Sequence, residues 1–300
     1  MIAAASSAPS SAPSMATAAW ARMRDDRRAR VGLGVIAVLI LAALLAPLIE
    51  GTNPIQINLR NALQAPSGAH WLGTDAQGRD VWSRLVHGAR ISLLVGLSSV
   101  ALSVLLGVSL GLWAGFWGGR WDALIMRTCD VMLSFPAILV ALLIAGVGRA
   151  LFPQAHEALA FGVLIASITL TGWVQYARTV RGSTLVERHK EYVQAARVTG
   201  VSPARIMRRH VLPNVMGPVL VLATIQVATA IITEATLSFL GVGAPPTSPS
   251  LGTLIRIGND YLFSGEWWIT IFPGLMLVVI ALSVNLLGDW LRDALNPRLR

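Results

Sequence analysis

The chain has 300 residues, 54% of them hydrophobic and 13% charged, with a mean hydropathy of +0.63. Soluble domains carry about 25% charged residues, so this composition excludes an ordinary cytosolic enzyme. The net charge is +9, from 24 Lys+Arg against 15 Asp+Glu, and beside such apolar stretches that balance points to a membrane surface rather than to nucleic acid.

Cys129 is the single cysteine, which excludes an internal disulfide and a thiolate metal cluster. Lys190 is the single lysine, set in Arg-His-Lys-Glu. A phosphate-binding P-loop needs Gly-Lys followed by Ser or Thr. The chain therefore cannot hydrolyse ATP by that machinery, and no cofactor is expected.

Residues 1–19 carry no charge and no periodicity, the composition of a disordered tail. Arg22, Arg24, Arg27, Arg28 and Arg30 follow, so 1–30 reads as a basic tail. Val31–Ile49 is uncharged, and about 20 apolar residues span a bilayer as a helix. No Ala-x-Ala site closes this run, so 31–50 reads as an uncleaved anchor rather than a signal peptide. Residues 51–90 form an outer segment. Five further stretches then read as spans: Ile91–Gly115, Val131–Gly148, Ala158–Tyr176, Val215–Leu240 and Trp268–Gly288. Every backbone amide in lipid must be paired internally, so they are helices. The fold class is an all-α polytopic membrane protein with six transmembrane helices.

Arginine sets the orientation. With the N-terminus inside, the outer segments hold Arg60, Arg79, Arg84, Arg90, Arg149 and Arg256, and the inner segments hold the remaining basic residues of the 24. That asymmetry follows the positive-inside rule. Both termini, including the tail 291–300, are expected on the cytoplasmic face of a bacterial inner membrane.

The inner loop 177–213 is too long for a simple turn. Glu191–Thr199 carries helix formers, with Gly200 placed as a C-terminal cap. Ser202 fits an N-cap and Pro203 the first helical position of a second short helix ending at Leu212, where Pro213 restricts its neighbour. The expected product is an angled knuckle with a shallow side at Ala195 and Ala196 and apolar knobs at Val193 and Val201. Composition alone also allows a plain basic loop attracted to anionic lipid.

The order of residues from Glu191, Tyr192, Ala195 and Ala196 through Gly200 to Leu212 and Pro213 resembles the "EAA" loop of ATP-binding-cassette (ABC) importer permeases. Two residues, Val193 and Gln194, separate Tyr192 from the Ala pair, and His210 stands where the general pattern has isoleucine. Both features look like the peptide-transporting branch. The run from His70 to Arg84, Glu234-Ala-Thr-Leu-Ser-Phe-Leu-Gly-Val-Gly243 and Gly288–Arg298 are similar to dipeptide and oligopeptide permeases of the "C" type. The resemblance implies the type I importer fold, a five-helix core (91–290) plus an N-terminal helix. It also implies a coupling helix in the loop that docks on an ATPase subunit. The implied partners are a homologous "B" permease, two ATPase subunits that bind the ATP, and an extracytoplasmic solute-binding protein. Peptide, nickel-chelate and glutathione importers share these motifs.

Other residues are candidates on their chemistry. Glu234 is the one charge inside an expected span, where a carboxylate is a functional hypothesis, although a structural or gate-lining position at the outer interface explains it as well. Gln226, Thr229, Thr224, Ser167 and Thr169 are polar without fixed charge, as a peptide path requires, and interhelical hydrogen bonds account for them equally. Arg79 and Asp80 are candidates for receptor contact or for a local salt bridge. Gly107, Gly111 and Gly115 share one helix face and predict close packing. All five histidines lie outside the expected spans, and an intramembrane enzyme lacks a nucleophile–base pair. A passive channel would have no use for loop 177–213.

Overall fold

The computed structural model describes residues 27–45, 53–152, 157–245 and 247–295. Residues 1–26 of the expected tail 1–30, the end of the first expected span (46–50) and residues 296–300 lie outside the described residues, while 27–30 form the first turn of a helix rather than tail. Among those described, the chain is helical, with one isolated bridge, Thr74 to Asp80, and no strand.

The helices are α1 (Arg27–Leu44), α2 (Val81–Trp117), α3 (Gly119–Leu133), α4 (Ala137–Leu151), α5 (Glu157–Glu187), α6 (Glu191–Val198), α7 (Pro203–Ile206), α8 (Leu212–Phe239), α9 (Leu251–Asn259) and α10 (Trp268–Leu295). By length and composition α2, α5, the continuous Pro203–Phe239 run and α10 can each cross a membrane. The pair α3–α4 makes a fifth crossing when its two parts are taken together, despite a bend of 93°. The helix α1 has 18 residues and lies beside α10 and α2.

Three expectations are corrected. Val131–Gly148 is not one continuous helix: it is broken at Ser134–Pro136, because Pro136 has no N–H and disfavours the α conformation at Phe135. What precedes the break is amphipathic α3, whose Asp122 takes a two-pronged bond from Arg181 of α5 at 2.6 and 2.7 Å. Second, 177–213 is not a loop, since 177–187 form the last turns of the 31-residue α5. Third, the helix begun at Pro203 does not end at Leu212. It continues through a wide π-turn, Met207–Val211, directly into α8, with the Leu212 amide reaching back to the Met207 carbonyl. This wide turn lets Pro213, which has no N–H to give, stand inside a continuous helix.

The seam between α2 and α5 organises the bundle. A Cβ on Gly107 would fall 2.4 Å from Cβ of Tyr176, and one on Gly111 2.4 Å from the Ala177 carbonyl oxygen. One on Gly115 would fall 2.7 Å from Cβ of Thr184. Glycine at this spacing lets the two backbones touch at three points over about two turns, as the shared face predicted. Two hydrogen bonds cross the same seam, Ser103 Oγ to the Thr169 carbonyl and Thr169 Oγ1 to the Ser99 carbonyl. Thr169 thus holds helices together rather than facing a path. Ser167 likewise turns to the Leu164 carbonyl of its own helix.

Each end of the bundle has its own apolar core. At one end Leu112, Phe116, Tyr176, Val180, Val215 and Val219 enclose residues of α6 and α7. At the other, Leu85, Leu93, Ile231, Leu251 and Ile280 bring α2, α8, α9 and α10 together. The segment 53–80 closes over that second end. Its hub is Asp75, 1% exposed, which accepts from the amides of Gln77 and Arg79 and from the guanidinium groups of Arg79 and Arg84. Trp268 Nε1 then donates to the Thr74 carbonyl at 3.1 Å, tying the hub to α10.

Candidate functional site

Two features stand out: a knuckle at one end of the bundle and an uncharged polar cleft between its helices. The knuckle is α6, a turn and α7. Gly200 has φ +76, a left-handed conformation that glycine enters without penalty. The Val201 amide bonds the Ala196 carbonyl and the Gly200 amide bonds the Arg197 carbonyl, the paired closure of a Schellman cap. Ser202 and Pro203 occupy the N-cap and first turn of α7, although the Ser202 hydroxyl makes no capping bond.

The faces of the knuckle differ from expectation. Val193 is fully buried and Ala196 is 9% exposed, both inside the core with Phe116 and Ile206. Val201 packs partly against the same core. These residues root the knuckle in the bundle, so Val193 and Val201 are not projecting knobs. What projects is Val198, 89% exposed, with Glu191, Ala195 and Gly200 also outward. An eight-residue helix shows one face to its own protein and the other away from it. The sequence alone does not say which is which.

Tyr192 fastens this knuckle to the bundle. Its hydroxyl donates to the Glu187 carboxylate at the end of α5 and accepts from Asn214 Nδ2 of α8 at 3.0 Å. Asn214 Nδ2 also donates to the His210 carbonyl, inside the π-turn, at 2.6 Å. Partial burial first, and the adjacent carboxylate second, push the Tyr192 hydroxyl up to about 12, so it remains a donor at neutral pH. Leu212 packs partly buried against the knuckle's core, and Pro213 is exposed on the first turn of α8.

The cleft, about 90 Å³, is bounded by α2, α4, α5 and α8. Its polar lining comes from Ser103, Thr171, Gln175, Gln226, Thr229 and Thr233. The hydroxyls of Thr171, Thr229 and Thr233 turn back to carbonyls of their own helices. That leaves the amides of Gln175 and Gln226 as the cleft's uncommitted polar groups among the described residues. No charged residue lines the cleft. The sequence had marked Gln226 and Thr229. Gln175 was not marked because the expected span ended at Tyr176 and put it at the edge rather than mid-helix; Thr171 and Thr233 lie inside expected spans, and nothing in the sequence sets them apart from the other span threonines.

Glu234, next to Thr233 on α8, is not among the cleft's lining residues. It is fully buried and accepts from Ser92 Oγ of α2 at 2.7 Å and from Ser238 Oγ at 2.6 Å. Ser92 Oγ in turn accepts the Leu251 amide at the start of α9. Glu234 therefore ties α8 to α2 and, through Ser92, to α9. Thr224 lies against Gly288 of α10 and is likewise not among the lining residues. Arg79 and Asp80 are each about one-tenth exposed. Arg79 is held by Asp75 at 2.8 Å, while Asp80 is held by His70 Nδ1 at 3.0 Å and caps α2 through the Ser83 amide. Their charges are taken up locally.

Comparison with known proteins agrees with this architecture. Residues 107–300 match the family model described as the binding-protein-dependent transport system inner membrane component. Residues 14–66 match the N-terminal TM domain of oligopeptide transport permease C. The dipeptide transport system permease protein DppC of Escherichia coli is 42% identical over 94% of this chain and 92% of its own length. The oligopeptide transport system permease protein OppC of Bacillus subtilis is 40% identical over 94% of this chain and 89% of its own. Among solved structures, an inward-facing form of the MetNI methionine ABC transporter aligns with TM-score 0.53 at 20% identity. It covers 71% of this chain and 96% of its own, a likeness of fold. The α2–α5 seam, the capped knuckle and the family match over residues 107–300 together place the chain among the binding-protein-dependent transport system inner membrane components, the permeases of ABC importers.

Proposed function

We propose that this permease forms half of a path for dipeptides or oligopeptides, paired with a homologous permease and driven by two ATPase subunits. An extracytoplasmic binding protein delivers the solute. The subunit itself binds no ATP, in keeping with its lack of a P-loop lysine. Both termini lie in the cytoplasm, so the knuckle faces the ATPases and the 53–80 segment faces the receptor. The coupling residues are Glu191, Tyr192, Ala195, Ala196, Gly200, Ser202, Pro203, Leu212 and Pro213, in two roles. Val193, Ala196 and Tyr192 root the knuckle, and the surface around Ala195, Val198 and Gly200 meets the ATPase.

The observation that carries the peptide reading is the uncharged, amide-bearing cleft between α5 and α8. Gln175 and Thr229 are exposed along apolar helices, and polar side chains left against lipid are costly. That face is better matched to an aqueous path shared with the partner permease. A path without fixed charge suits a solute recognised through its main chain, whatever the charge of its side chains.

Uptake into proteoliposomes holding the chain with its partner permease, ATPases and receptor tests this reading. Ala-Ala should enter at the expense of ATP, and neither a nickel–histidine chelate nor glutathione should compete at equal concentration. Uptake of the chelate or of glutathione with no competition from peptide would overturn the peptide assignment.

A further inference from the structure

Tyr176 belongs to two places at once. It lines the cleft beside Gln175, and it is part of the apolar core that encloses Val193, Ala196 and Ile206 of the knuckle. The residue is fully buried. Its hydroxyl has no hydrogen-bond partner among the described residues.

Buried polar groups nearly always have a partner, and an orphan calls for an explanation. Leaving a hydroxyl unpaired inside a protein is destabilising, and replacing it with an apolar group of the same shape relieves that penalty. A tyrosine here in place of phenylalanine thus reduces stability unless something accepts its proton at some stage of the cycle. The groups around it narrow what that acceptor is. The cleft holds amides and hydroxyls and no charge, so a lone anion or a metal ion would enter without a counter-charge, whereas a dipeptide's two terminal charges offset each other. A neutral carbonyl oxygen fits: it accepts from a phenol, and its neighbouring N–H can be met by a glutamine amide oxygen.

Resting on the reading of the cleft as the peptide path, we propose that the Tyr176 hydroxyl is a solute contact, donating a hydrogen bond to a main-chain carbonyl of the passing peptide. The contact sits where the path and the knuckle share one side chain. A solute is thereby felt at the point from which the knuckle is anchored.

The test is Tyr176→Phe in the full transporter, reconstituted with its receptor and given Ala-Ala. The ring and its packing stay, and only the orphan oxygen goes. The melting midpoint should hold or rise, while the maximal uptake rate falls about fivefold, the worth of one lost hydrogen bond. Unchanged uptake would overturn the proposal and leave ordered water as the group that satisfies the hydroxyl. Reduced uptake with a lowered melting midpoint would also overturn it, because that is the mark of a structural role. Gln226→Leu, measured alongside, separates this proposal from the reading beneath it. If Gln226→Leu impairs uptake and Tyr176→Phe does not, the tyrosine contact falls and the path stands. If neither affects uptake, the cleft is not the path.

Discussion

Val198 and Ala196 lie two residues apart on α6 and take opposite positions, one 89% exposed and the other 9%. That difference decides which substitution reports on coupling. Ala196→Asp would bury a carboxylate in the permease's own core, so a loss of function would say nothing about the ATPase. Val198→Asp alters the outward surface and leaves the core intact. If that surface seats in an ATPase groove, the new charge is desolvated without a partner. The account predicts an unchanged melting midpoint for the permease and a fall of about tenfold or more in ATPase co-purification. Normal co-purification would place the contact elsewhere. Glu234 makes the same point in reverse. A carboxylate inside a span reads as a functional group in the sequence, yet the residues around it, Ser92 and Ser238, are those of a structural tie. Ser238, four residues on, shares a helix face with Glu234, but nothing in the sequence announces that Ser92, 142 residues earlier, converges on the same carboxyl group.

At the scale of elements, the α2–α5 seam carries a direct consequence. Gly111→Leu puts a branched side chain where even a Cβ meets the Ala177 carbonyl oxygen at 2.4 Å. The helices must separate, and overpacking of this kind destabilises by about 1–3 kcal/mol. Gly162→Leu on α5 is the control, because a Cβ there meets nothing within 4 Å. Thermal melts of the two variants in detergent should show a lowered midpoint for Gly111→Leu and little change for Gly162→Leu. Equal midpoints would contradict the seam. This element was legible in the sequence because glycine at i, i+4 and i+8 has one physical meaning in a membrane helix. The α3–α4 bend was legible in part. A proline such as Pro136 can kink a helix, but the charges of Arg120, Asp122, Arg127 and Asp130 are those of a loop. They read so because the arginines that pair with the two aspartates, Arg181 with Asp122 and Arg178 with Asp130, arrive from a helix some fifty residues later in the chain. The cap at Gly200 and the start at Pro203 were likewise visible. The run through Pro213 into α8 was not, because a π-turn shifts the register that proline rules assume.

At the scale of the molecule, one side chain, Tyr176, is shared between a cleft at mid-bundle and a knuckle at one end. The helix α2, 37 residues long, is about 55 Å by its rise, against a hydrocarbon core of about 30 Å. It therefore runs from the Asp75 hub at one end, where Arg84 meets that carboxylate, to the knuckle core at the other, where Phe116 packs. A helix of this length links displacement at the knuckle to the Asp75 hub at the far end, alongside the cleft. The chain offers a direct way to examine whether that cleft is the path, because its single cysteine, Cys129, is buried and can be replaced by alanine. In that background, Gln226→Cys places a thiol on the cleft and Leu282→Cys places one on an exposed apolar position of α10. The decisive measurement is labelling of each by a membrane-impermeant cationic methanethiosulfonate while the reconstituted transporter turns over ATP. The account predicts rapid labelling at 226, slowed by saturating Ala-Ala, and none at 282; labelling at 226 no faster than at 282 would contradict it.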